Sequence, residues 1–118
     1  MEKKDLDLIA KTIFDKKGTN IFVLDVRGMT SMTDFFILAE GNVDRHVKAI
    51  GDAVIDAMEN AGHEVLRVEG KGTADWMVID FGDAFVHLFT QGVREKYGLE
   101  AVWSKGKIVD VSIDISKK

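Results

Sequence analysis

The sequence contains no cysteine among its 118 residues. Disulfide bonds, thiolate metal sites and cysteine nucleophiles are therefore excluded. Long apolar runs are also missing, because charged residues interrupt the N-terminal segment before a signal-peptide core or a membrane span could form. We therefore expect a cytoplasmic protein that has no targeting segment and makes no contact with a membrane.

Clusters of basic residues are scarce as well. The 16 Lys and Arg residues are outnumbered by 20 Asp and Glu residues, which gives a formal net charge of -4. Nucleic-acid binding normally requires several cationic side chains close together, and here the lysines occur only as short pairs. The charge balance thus disfavours direct nucleic-acid contact and suits a basic protein partner, because complementary potentials favour encounter.

The histidines and acidic residues show no metal-ligand spacing. His46, His63 and His87 are scattered along the chain. Asp80 and Asp83 could share a divalent cation, but short acidic side chains equally suit a turn, where they accept hydrogen bonds from backbone amides. We favour the turn, so the sequence predicts no metal, no cofactor and no catalytic residue.

Apolar residues at three- and four-residue spacing predict two amphipathic helices. The first helix ends before Gly18, and the second has Asn42 as its N-cap and ends at about Ala61. The apolar stripe of the first helix consists of Leu6, Ile9, Ala10, Ile13 and Phe14, and that of the second of Val47, Ile50, Val54, Met58 and Ala61.

Runs of β-forming residues predict the strands. Residues 21–24 and 35–39 are continuous apolar runs, typical of strands buried on both faces. Residues 65–69 are more polar and predict a strand near an edge. The alternating tail at residues 108–115 predicts either an added edge strand, which we favour, or an unpaired extension. The order of elements indicates one α+β domain, residues 1–118, in which helices pack against a mixed sheet.

Residues 76–87, WMVIDFGDAFVH, predict a β-hairpin. Its turn lies at residues 80–83, since Gly82 can adopt the positive φ of a tight turn. His87 alternates with Phe85 and Phe89, and we interpret it as a partly buried imidazole paired with a neighbouring carboxylate or carbonyl. Trp76 fits either a core or an interface, where tryptophan is enriched. Acidic residues around it would attract Lys or Arg of a partner; they are Glu69, Asp75, Asp80 and Asp83.

Several segments of the chain resemble the ribosomal silencing factor family, also called RsfS or Iojap. The similarity extends from about Asp5 to Ser104, and its motifs occur in the order of the family. The motifs are IFVLDVRGMTS, Asp34-Phe35-Phe36-Ile37, Arg45-His46-Val47, Glu69-Gly70, WMVIDFGDAFVH, Arg94, Tyr97, Leu99-Glu100 and Trp103. The chain departs from the family pattern at Glu40 and at residues 105–118, which we expect to form an extra edge strand or a tail.

The resemblance implies a nucleotidyltransferase-like mixed sheet of five or six strands with two main helices packed against it. It also implies a protein that binds the large ribosomal subunit through ribosomal protein L fourteen, sterically blocks joining of the small subunit and so represses translation. Nucleotidyltransferase activity would need a Gly-Ser pair, whereas Gly28 is followed here by Met29. By motif position, the partner-binding residues are Glu69, Gly70, Trp76, Asp80, Phe81, Asp83, Arg94 and Tyr97.

Two other classes of protein stay open at this point. A nucleotidyltransferase-like enzyme or nucleotide-binding protein would use Asp80 and Asp83 to hold magnesium. A homodimer off the ribosome would join through the tail strand, so deletion of residues 108–118 would dissociate it. Calorimetry with nucleoside triphosphate and magnesium distinguishes the first alternative from a ribosome-binding protein.

Overall fold

The computed structural model describes residues 1–29, 31, 33–70, 75–93 and 107–108. These ranges contain two main helices and six strands. In chain order they are α1 (Lys3–Asp15), β1 (Thr19–Asp25), β2 (Phe35–Gly41), α2 (Asp44–Asn60), β3 (Arg67–Glu69), β4 (Trp76–Asp80), β5 (Ala84–Thr90) and β6 (Lys107–Ile108). The predicted α+β class, a mixed sheet with two main helices packed against it, is confirmed.

The strands form one sheet in the order β3-β4-β5-β2-β1-β6. β2 and β5 are parallel, and the other neighbouring pairs are antiparallel. β2 lies inside the sheet, which explains its continuous apolar sequence. β4 and β5 form the predicted hairpin, in which Asp80 pairs with Phe85 and Gly82 has a φ of 90°.

Both main helices pack on one face of the sheet, which we call the helix-covered face. Successive side chains of a strand point to opposite faces, so alternate strand residues meet the apolar stripes of the helices. Full burial of one such side chain contributes roughly 1.5–3 kcal/mol. The core of this face includes Ile37, Met77, Ile79, Val86 and Leu88 from the strands and Ile9, Ile13, Ile50, Val54 and Met58 from the helices, all 0% exposed.

The start of α2 differs from the prediction. The helix begins at Asp44 with Val43 at the N-cap position, so Asn42 is not the capping residue. The backbone amide of Asn42 donates to Nδ1 of His46 over 2.9 Å, and Nε2 of His46 donates to the carbonyl of Lys16 over 2.7 Å. His46 therefore connects the start of α2 to the residues that follow α1, a link that a capping rule does not anticipate.

The two edges of the sheet agree with the predictions in part. β3 lies at one edge, as expected, but covers three residues instead of residues 65–69. β6 pairs with β1 at the other edge, where Ile108 lies opposite Leu24. Residues 109–118 lie outside the described ranges, so the rest of the tail strand and the homodimer that it would form stay predictions. No described helix is long and apolar enough to span a membrane.

Candidate protein-binding face

The face of the sheet opposite the two main helices, which we call the second face, carries aromatic and charged side chains. One row of residues crosses four strands. Arg67 lies opposite Asp80, Asp80 opposite Phe85, and Phe85 opposite Phe36. The adjacent row consists of Glu69, Val78, His87 and Leu38. Strand register thus brings side chains from four separate segments of the chain together.

Trp76 begins a third row, in which it lies opposite Phe89. Phe89 is 0% exposed and forms a small apolar cluster with Leu24 and Leu38, against which the half-buried Trp76 packs. The centroid of the indole lies 6.5 Å from that of the His87 ring. Trp76 therefore takes part in the packing of the second face and keeps only a portion of its surface accessible.

His87 lies among aromatic rings near the middle of the second face. Its ring centroid is 5.4 Å from that of Phe36 in an edge-on contact and 6.5 Å from that of Phe85. Within the described residues we find no hydrogen bond from either ring nitrogen, so the predicted pairing with a carboxylate or carbonyl is not seen there. Burial lowers the pKa of His87 to about 4, which leaves the imidazole neutral at pH 7.

A pocket of about 220 Å³ lies between the first two rows of the second face. Aromatic and aliphatic side chains from β2, β4 and β5 line one part of it, and charged side chains from β3 and the end of β4 line the other. The lining residues are Phe36, Arg67, Glu69, Val78, Asp80, Phe85 and His87. The pocket therefore combines apolar walls with a charged margin.

The two aspartates of the hairpin turn have different surroundings. Oδ1 of Asp80 accepts a hydrogen bond from the backbone amide of Gly82 over 2.7 Å, as the turn interpretation predicts. The carboxylate of Asp83 is paired with the α-amino group of Met1, and its side chain is 41% exposed. In the described parts of the chain, no group of three or more His, Cys, Asp or Glu side chains could hold a metal ion.

Glu69 and Gly70 lie where β3 ends. The Glu69 side chain is exposed, and its Oε1 lies 3.7 Å from Nε of Arg67. Gly70 has a φ of 80°, and a Cβ atom at this position would lie 2.1 Å from the carbonyl oxygen of Trp76. Glycine is therefore required here by both the backbone angle and the close approach of β4. Glu69 offers a side chain to a partner, and Gly70 shapes the backbone beside it.

The other predicted contact residues lie elsewhere. Phe81 is 8% exposed and packs in the core of the helix-covered face, so it stabilises the hairpin and presents little surface to a partner. Arg94 and Tyr97 lie outside the described residues.

The second face also contains Phe36 and Phe85, which we did not predict as contact residues. The alternation of aromatic side chains along residues 85–89 was the available signal for Phe85.

The fold and this face define a class of protein: a small α+β domain with an aromatic sheet surface that has a charged margin. Comparison with known proteins makes the assignment specific. The family model described as ribosomal silencing factor during starvation (RsfS) matches residues 2–118. The chain therefore belongs to the RsfS family, as the motifs predicted.

Individual relatives agree with this membership. The ribosomal silencing factor RsfS of Haemophilus influenzae is 41% identical to this chain over 84% of this chain and 97% of that protein. A crystal structure of a protein from Chromobacterium violaceum is similar with a TM-score of 0.84 and 31% identity, over 99% of this chain and 98% of that one. A more distant relative, the mitochondrial assembly of ribosomal large subunit protein 1 of Mus musculus, is 28% identical over 86% of this chain and 46% of its own length.

Proposed function

We propose that this chain binds the large ribosomal subunit through ribosomal protein L fourteen, blocks joining of the small subunit, and thereby represses translation in the cytoplasm. Membership of a family of ribosomal silencing factors supports the ribosome as the target. The name of the mouse relative, which refers to the large subunit, favours that subunit.

The observation that carries the proposal is the composition of the second face. Trp76, Phe85 and His87 are half-buried on a sheet face that neither main helix covers. Accessible apolar surface bordered by charges is typical of interaction sites in soluble proteins. The formal net charge of -4 and the carboxylates of Glu69 and Asp80 favour a basic protein over the phosphates of ribosomal RNA.

The proposed mechanism is steric and forms no covalent bond. The folded domain measures 32 × 32 × 30 Å along its principal axes. A body of this thickness, fixed on the surface where the two subunits meet, holds them too far apart for direct contact. Silencing then requires only that the complex with the large subunit is stable enough to persist, and the aromatic and acidic groups of the second face would supply this stability.

Sedimentation with purified ribosomal subunits tests both steps of the proposal. We expect the protein to sediment with large subunits and to stay in the supernatant with small subunits. Addition of the protein in excess to a mixture of both subunits should reduce the peak of joined ribosomes in a sucrose gradient. A gradient in which the protein sediments with the large subunit while joining is unchanged would contradict the steric step.

Trp76 provides the sharpest test of the second face as the contact surface. The Trp76→Ala variant should bind the large subunit more weakly by more than about 1 kcal/mol, or roughly fivefold, because large aromatic side chains dominate most interfaces. Trp76 also packs against Phe89, so circular dichroism must first show that the variant is folded. Trp76→Phe, which keeps a ring at this position, is the matched control. Unchanged affinity of folded Trp76→Ala would remove Trp76 from the contact surface.

A further inference from the structure

We propose that the pocket on the second face accepts a single arginine side chain of the protein partner, with the carboxylate of Asp80 binding its guanidinium group. The identity of the partner rests on the proposed function above. The chemistry of the pocket rests on its size, its charges and its aromatic walls, and it can be tested without the ribosome.

The size of the pocket limits what it can hold. Its volume is about 220 Å³, whereas sites for drug-sized ligands and cofactors usually measure roughly 300–1,000 Å³. One long side chain of a partner fits such a space, and a nucleotide or a folded segment does not. The pocket also lies in the plane of an accessible face, where a protruding side chain of a docked protein would enter it.

The charges that line the pocket favour a cation. Arg67 lies opposite Asp80 in the strand register, and its Nε is 3.7 Å from Oε1 of Glu69, so the formal charges of Arg67 and Glu69 sum to zero. Asp80 forms no ion pair within the described residues, and its Oδ1 is occupied by the amide of Gly82. The second oxygen of this carboxylate is therefore available to a ligand, and the lining carries one net negative charge. An incoming guanidinium would form a charge-assisted hydrogen bond with Asp80, which is stronger than a neutral one.

The aromatic walls favour arginine over lysine. The rings of Phe36 and Phe85 lie 6.2 Å apart at an interplanar angle of 36°, with His87 beside both. A planar guanidinium can stack on such rings and still form hydrogen bonds at its edge, whereas an ammonium group is a compact and strongly hydrated charge. Because the imidazole of His87 is neutral at pH 7, it does not repel the cation.

The chain already contains one intramolecular example of this arrangement. The guanidinium of Arg27 lies 5.1 Å from the centroid of the Phe35 ring and is bound by both carboxylate oxygens of Asp25, at 3.0 Å and 2.6 Å. The protein can therefore hold an arginine side chain in contact with an aromatic ring and an aspartate at the same time. The pocket offers the same two groups, Phe85 and Asp80, from neighbouring strands.

The test uses Asp80→Asn, because the asparagine amide oxygen can still accept the hydrogen bond of Gly82 while the negative charge is lost. Asp56→Asn is the matched control: Asp56 is exposed on α2, so the same charge is removed far from the second face. The probes are Nα-acetyl-arginine methylamide and its apolar counterpart, Nα-acetyl-norleucine methylamide, titrated into the ¹⁵N-labelled protein and followed by NMR.

We expect the arginine probe to shift the amide signals of Val78, Phe85 and His87, and the norleucine probe to leave them unchanged. Asp80→Asn should weaken binding of the arginine probe at least threefold, and Asp56→Asn should bind it as the unmodified chain does. Equal shifts from both probes would mean that the pocket accepts an apolar side chain, which would overturn the proposal. Equal binding by the unmodified chain and Asp80→Asn would also overturn it.

Binding to purified large subunits separates this inference from the proposed function. Asp80→Asn should bind the large subunit about tenfold more weakly than Asp56→Asn, because a charged hydrogen bond at an interface is lost. If the unmodified chain binds large subunits and Asp80→Asn binds equally well, the arginine pocket is wrong and the proposed function stands. If the unmodified chain fails to bind large subunits while the arginine probe still binds, the ribosomal partner is wrong and the guanidinium site stands.

Discussion

The two faces of the sheet differ in side-chain type, burial and charge, although alternate residues of the same strands supply both. In β5, Val86 and Leu88 are 0% exposed on the helix-covered face, while on the second face Phe85 and His87 are half-buried and Phe89 is 0% exposed. Aliphatic residues that are fully buried contribute mainly to stability. Accessible aromatic residues contribute less to stability and provide surface for a partner. The comparison therefore predicts that substitutions on the two faces separate folding from binding.

The largest effect is expected for a truncation in β5 on the helix-covered face. Leu88→Ala should lower the free energy of unfolding by about 3–4 kcal/mol, because it removes buried methyl groups and leaves a cavity. Phe85→Ala, three residues earlier on the second face, should lower it by less than half as much, although a larger side chain is lost. Urea denaturation followed by circular dichroism measures both values.

Binding should show the reverse order for the same pair of variants. Folded Leu88→Ala should retain affinity for the large subunit, whereas Phe85→Ala should lose at least about 1 kcal/mol of binding free energy. Similar losses of stability for the two variants would show that the second face is also a main source of stability. The proposed division between the faces would then be wrong.

A smaller effect is expected from the titration of His87. Burial lowers the pKa of His87 in the folded state to about 4, below the ordinary value of 6.5. As the pH falls, the unfolded chain therefore binds a proton at this residue at a higher pH than the folded chain does. Stability linked to His87 is complete above about pH 6.5 and is lost as the pH falls towards 4, by at most about 3 kcal/mol. Urea denaturation at pH values between 7 and 4 measures this loss.

The His87→Phe variant is the control for this titration, because it keeps an aromatic ring on the second face and removes the titrating group. Its stability should depend less on pH between 6.5 and 4 than that of the unmodified chain. Parallel pH profiles for the two proteins would show that the imidazole is protonated without cost, and hence that the second face is more hydrated than its burial indicates.

The sequence predicted the elements whose signals are local. Apolar periodicity located α1 and α2, and the glycine in the turn located the β4–β5 hairpin. The predicted N-cap of α2 was wrong because the helix begins at Asp44 with Val43 at the cap position. Instead, the ring of His46 links the Asn42 amide to the Lys16 carbonyl. The contact between His46 and the Lys16 carbonyl joins residues 30 positions apart, so no local pattern reveals it.

The candidate site was predictable only in part, for the same reason. Trp76, Asp80 and Glu69 could be identified from motif position, and the structure places all three on or beside the second face. The pocket itself depends on the register of β3, β4, β5 and β2, which brings together segments distant in sequence. Phe81 lies in the core of the helix-covered face with Met77 and Ile79, so the period-two alternation of β4 continues to this residue and points it away from the second face.

Substitution of Gly70 tests one backbone contact, between the end of β3 and the start of β4. Gly70 and Gly62 both have positive φ, at 80° and 92°, but a Cβ atom at Gly70 would lie 2.1 Å from the Trp76 carbonyl, whereas one at Gly62 would have no atom within 4 Å. Gly62→Ala should therefore cost only the backbone strain, about 1 kcal/mol, and Gly70→Ala about 2 kcal/mol or more by urea denaturation. The difference between them measures how tightly β3 packs on the start of β4. If the costs are equal, β3 moves freely at this edge, and the charged side of the pocket is not fixed by the sheet.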